Sequence, residues 1–96
     1  MAQAFYFVNK GFTPEKYDEL IKQLEAAGAG APAGRIHHAA LESDGEIQVF
    51  DIWESQEALN AFAATLVPAL TELGVELSEP MVSRVHNVID GELAKA

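Results

Sequence analysis

The chain has 96 residues, enough for one domain with a single core and too few for two. At 49% hydrophobic and 22% charged it has the composition of a globular protein, not a disordered one. Fifteen acidic residues against six basic give a formal charge of −9, which argues against nucleic acid and anionic membrane as partners; with no cysteine there is no disulfide framework, thiolate metal site or cysteine nucleophile.

The opening residues lack a basic stretch followed by an apolar run of signal-peptide length. No apolar run approaches the roughly 18 residues of a membrane span, so a cytoplasmic location is expected. Residues 4–9 are aromatic and β-branched and read as a strand, ended by Asn9-Lys10-Gly11. Thr13-Pro14-Glu15 opens a helix: Thr13 caps, Pro14 suits the first turn and Glu15 favours the positive dipole end. Tyr17, Leu20, Ile21 and Leu24 follow at helical spacing. Residues 28–34 form a loop rich in glycine and proline, with no strand–GxGxxG–helix context to make it a phosphate cradle.

Two strand-like runs between Arg35 and Glu54 meet at Asp44-Gly45, a strong hairpin signal. A two-residue type I′ turn pairs Ser43 with Glu46 and puts His38 opposite Asp51, close enough for an ionic hydrogen bond. A three-residue loop slips the register by one and gives Asp51 to His37 instead. His38 is favoured, because the slip separates Ile36 from Trp53. The expected face combines Ile36, Ala40, Ile47 and Val49 with His38, Asp51 and Trp53, which suggests a pocket.

Ser55 caps a second helix whose apolar stripe runs Ala58, Leu59, Phe62, Leu66, Leu70 and Leu73. Pro68 interrupts the stripe, so one helix is expected to about Leu66 and a shorter one from Pro68, closed by Gly74. Residues 81–89 read as a final strand and residues 90–96 as a tail. The order strand, helix, strand, strand, helix, strand gives a single ferredoxin-like α+β domain over residues 1–96. It is a βαββαβ, four-stranded antiparallel sheet with both helices on one face. The other face would carry Ile36, Val49, Trp53 and Val88 to water, so a homodimer through that sheet face is expected.

The runs Phe5-Tyr6-Phe7-Val8, Arg35-Ile36-His37-His38-Ala39, Val85-His86-Asn87-Val88-Ile89 and above all the segment from Val49 to Leu59 with its W-E-S-x-E-A-L pattern resemble the dimeric α/β-barrel superfamily. Within it the chain is similar to small proteins like antibiotic-biosynthesis monooxygenases, many of unknown function. The resemblance implies a dimeric α/β barrel. In members that oxidise aromatic polyketides it also implies activation of an enolisable substrate without metal or flavin. Heme-degrading members use a first-strand asparagine, a third-strand tryptophan and a second-helix histidine. Asn9 and Trp53 match the first two loosely, but Asn60, Ala61, Phe62, Ala63 and Ala64 offer no histidine. No cofactor is therefore expected.

His38 as general base and Asp51 as its orienting carboxylate form the candidate catalytic pair; the bland alternative is a structural ion pair. Tyr6 and Trp53 are the expected aromatic wall for a planar ligand between the two sheets. Arg84 and His86, at spacing two on the last strand, are the expected receivers of an anionic group. No metal site is expected, because His37 and His38 are adjacent in a strand and face opposite ways. Three readings follow. One is a cofactor-independent monooxygenase acting on a planar organic substrate. The second is a non-catalytic dimer binding a small aromatic ligand, and the third a purely structural dimer.

Overall fold

The computed structural model describes residues 2–89. It contains β1 (Gln3–Val8), α1 (Pro14–Ala26), β2 (Arg35–Ser43), β3 (Glu46–Trp53), α2 (Gln56–Glu72) and β4 (Met81–Arg84). All strand pairs are antiparallel, in the order β2-β3-β1-β4, and α1 and α2 pack together against β3. This is the expected ferredoxin-like arrangement. The tail expected over residues 90–96 lies outside the described residues.

The hairpin register is set by its turn. Asp44 at φ 54° and Gly45 at φ 80° are the two left-handed residues of a type I′ turn. Ser43 accordingly pairs with Glu46, and His38 stands opposite Asp51. Near the start of β2 the register shifts: Arg35 lies opposite Trp53 and His37 opposite Ile52, which leaves Ile36 as an extra, unpaired residue. This bulge corrects the expectation that Ile36 joins the pocket face; the residue is instead 55% exposed.

Strand alternation assigns the two faces. Phe5 and Phe7 on β1 pair with Asp51 and Val49 on β3, and these positions, with Ile47 and Trp53, lie beneath the helices. Val49 and Trp53 were expected on the open face, so this is a correction. The reason is that they share strand parity with Ile47 and with the partners of fully buried Phe5. The open face carries Tyr6, Val8, Leu41, Phe50 and Met81 instead. Val88 lies beyond β4, outside the sheet.

Two further elements differ from expectation. β4 ends at Arg84 because its partner ends: Arg84 pairs with Gln3, the first residue of β1, and only the Val85 amide still reaches the Ala2 carbonyl, at 3.0 Å. The second helix runs unbroken through Pro68. Leu59, Phe62 and Leu70 are buried on both sides of the proline and hold the two halves on one core. Pro68 itself faces water, and so does Ala64, whose carbonyl has lost its usual donor. Gly74, at φ 78°, follows the cap at Leu73 as expected.

Candidate functional site

The site begins with the capping of α1. The Thr13 side chain accepts a hydrogen bond from the Lys16 amide at 3.2 Å. Phe12, just before the cap, packs on Tyr17 with ring centroids 5.9 Å apart. This is a hydrophobic staple, which fixes the angle at which the chain enters the helix and thus the direction of Tyr17. Its hydroxyl lies 2.7 Å from His38 Nε2, with the two rings nearly parallel at 6°.

His38 Nδ1 lies 2.6 Å from Asp51 Oδ1, and Trp53 Nε1 donates to Asp51 Oδ2 at 3.2 Å. Asp51 and Trp53 are buried and two residues apart on β3, so strand alternation brings both to the same face. An ionised carboxylate only accepts, so the hydrogen between Asp51 and His38 sits on Nδ1. In the neutral ring, Nε2 then accepts from the Tyr17 hydroxyl. Donation therefore runs from Tyr17 through His38 to Asp51, which also accepts from Trp53, with the phenol oxygen at the cavity end. Burial raises the pKa of Tyr17; Arg35 opposes that shift, while Asp51 and Asp18 add to it.

Tyr17, His38 and Asp51 line a cavity of about 250 Å³ between the sheet and the two helices. The walls are mainly apolar, from Phe7, Phe12, Leu20, Leu24, Leu59, Phe62, Leu66 and Leu70, with Asn9, Arg35, Gln56 and Asn60 as further polar groups. Asn9 is buried and accepts from the Ser78 amide at 2.9 Å, which ties the segment before β4 to the end of β1. A few placed polar groups in an apolar concavity are the ordinary makings of a small-molecule site.

The structure brings His38 and Asp51 together as the turn predicts, and sets Trp53 behind them rather than on the cavity wall. Tyr6 is placed elsewhere. It pairs with Phe50 and Met81 on the open face, so it cannot share a wall with Trp53. Arg84 and His86 also lie apart from the cavity. Arg84 is exposed at the end of edge strand β4 and His86 lies beyond the strand, so the spacing-two argument fails. Sequence reasoning missed Tyr17 and Arg35. Tyr17 carried one usable signal: a phenol on the inward stripe of an amphipathic helix needs a polar partner.

The chain matches no protein-family model, and no curated protein matches it significantly. Its fold is shared with solved structures that include antibiotic-biosynthesis-monooxygenase-like proteins. Among the similar solved structures is SnoaB, a cofactor-independent oxygenase from Streptomyces nogalater, at 17% identity and TM-score 0.59, covering 94% of this chain and 96% of that one. The protein YJCS is similar at 17% identity and TM-score 0.64, over 90% of this chain and 100% of that one. A protein of Chloroflexus aurantiacus J-10-fl, provisionally assigned as an antibiotic biosynthesis monooxygenase, is similar at 18% identity and TM-score 0.59, over 93% and 95% of the two chains. Among the described residues, no helix is long and apolar enough to cross a membrane.

Proposed function

We propose that the protein binds a small planar organic molecule in the cavity between sheet and helices and acts on it as a cofactor-independent oxygenase. The observation that carries this reading is the hydrogen-bonded chain Trp53–Asp51–His38–Tyr17, ending at a mainly apolar cavity. An enolisable C–H seated against Tyr17 gives its proton to the phenol oxygen as the Tyr17 proton passes to His38 Nε2. Asp51 stabilises the imidazolium so formed, which is the usual task of a carboxylate behind a histidine base. The substrate carbanion then reduces dioxygen, the peroxide collapses to a carbonyl, and water leaves; a CH₂ group and O₂ become C=O and H₂O. The likeness in fold to a cofactor-independent oxygenase supports the direction of this reading.

A second reading, a non-catalytic carrier, is favoured by one feature: both ring nitrogens of His38 are already engaged, so a ligand could simply hydrogen-bond to Tyr17. In either case we propose a homodimer through the open sheet face. There Val8 is 49% exposed, Leu41 46% and Met81 71%, an apolar surface of the kind a second copy covers.

Native mass spectrometry with 2-naphthol tests ligand and assembly together. The expected species is a dimer of two 10.4 kDa chains carrying one naphthol per protomer. Monomer alone contradicts the assembly, and ligand-free dimer contradicts the cavity. Oxygen uptake with an enolisable bicyclic ketone, without added metal or flavin, separates oxygenase from carrier; no uptake leaves the carrier.

A further inference from the structure

Arg35 is the cation of the cavity that the relay does not use. The bulge after it sets its backbone opposite Trp53, and its guanidinium lies 5.9 Å from the Phe62 ring centroid. That stacking and one long hydrogen bond to the Gly30 carbonyl, 3.4 Å, fix the side chain. Arginine carries five N–H donors in a planar fork, so most of them are left unused by these contacts. Among the described residues no carboxylate comes within ion-pair distance of it; the salt bridge there joins His38 to Asp51. Glu54 is close by, against Gly34, but is exposed and makes no pair with it. An unpaired guanidinium held over an aromatic ring at an apolar cavity is a receptor for a planar two-oxygen anion.

We propose that the molecule bound in the cavity carries a carboxylate, and that Arg35 is the residue that selects it, holding the carboxylate at one end while the reacting carbon or hydroxyl meets Tyr17 at the other. This rests on the reading of the cavity as a ligand site and adds the class of ligand: a planar aromatic or enolisable acid. The geometry also fits the charge balance of the site. Asp51 is spoken for by Trp53 and His38, so a ligand carboxylate placed at Arg35 meets the one unpaired arginine or lysine that lines the cavity among the described residues, instead of the buried negative group. The effect of Arg35 on Tyr17 points the same way, since it opposes the rise in the phenol's pKa and so lies within electrostatic reach of it. A carboxylate bound to Arg35 removes that opposition.

The test compares 2-naphthoate with its neutral isostere 2-naphthamide by isothermal titration calorimetry. Wild type should bind the acid about tenfold or more tighter than the amide, the size expected for charge-assisted hydrogen bonds. Arg35→Gln should erase that ratio while leaving naphthamide affinity nearly unchanged, and Arg35→Lys should keep part of it, having charge without the fork. Thermal melts of both variants confirm that they are folded. Equal affinity of wild type for acid and amide overturns the assignment of Arg35 and leaves the cavity intact. Failure of both probes to bind overturns the cavity reading, and this inference with it. Loss of naphthamide binding in folded Arg35→Lys also overturns it, because the residue would then shape the cavity rather than select an anion.

Discussion

Tyr17→Phe should lower turnover by about 10²–10⁴-fold, the range that a positioned acid–base group contributes. The ring stays, and with it the staple against Phe12; only the hydroxyl that joins His38 to the cavity is removed. KM should therefore change little while kcat falls. Stability should fall by only about 1 kcal/mol, the usual cost of one hydrogen bond. The same variant has a second readout in alkali. Burial raises the folded pKa of Tyr17 above its ordinary value of 10.0, so the folded state keeps the phenol proton that the unfolded chain gives up. The stability this contributes is fully present below about pH 10 and is lost as pH rises through the folded pKa. Melting temperature should thus decline less steeply above pH 10 in Tyr17→Phe than in wild type. Unchanged turnover in the variant would show that the relay does not reach the substrate through this oxygen.

Trp53→Ala should cost about 3–5 kcal/mol, the range for truncating a fully buried large aromatic. Trp53 is 0% exposed and its ring packs 5.5 Å from that of Phe62, so the substitution opens a void at the centre of the domain. Domains of this size are stable by about 5–15 kcal/mol, so about a fifth or more of the total is at stake. Trp53→Phe separates packing from polarity. It keeps most of the ring but withdraws the donor from Asp51 Oδ2, and a buried carboxylate oxygen left short should cost about 1–3 kcal/mol. Urea denaturation monitored by circular dichroism measures both. A loss below about 1 kcal/mol in Trp53→Ala would mean that the tryptophan is not the keystone of this core.

The site was legible where local chemistry decides geometry and illegible where the third dimension does. Asp44-Gly45 names its own turn, the turn sets the register, and the register places His38 opposite Asp51. Nothing so local tells which face of β3 meets the helices. The partner strand decides that: Phe5 and Phe7 are opposite Asp51 and Val49, so Val49 and Trp53 go inside and Tyr6 goes out. The bulge at Ile36 has no sequence mark, yet it brings Arg35 to the cavity, and Arg84 was expected in that role because the last strand looked longer than its partner allows. Pro68 shows the limit of a local rule. Its missing donor costs the helix a bond, but buried residues on either side keep the helix whole.

The most direct test of the central claim is a crystal structure of the protein with 2-naphthol bound. The expected position is in the cavity between sheet and helices, with the naphthol oxygen about 2.5–3.0 Å from Tyr17 Oη and the rings among Phe7, Phe12, Phe62 and Leu66. Naphthol lying instead on the open sheet face against Tyr6 and Phe50, with the cavity empty, would contradict the account.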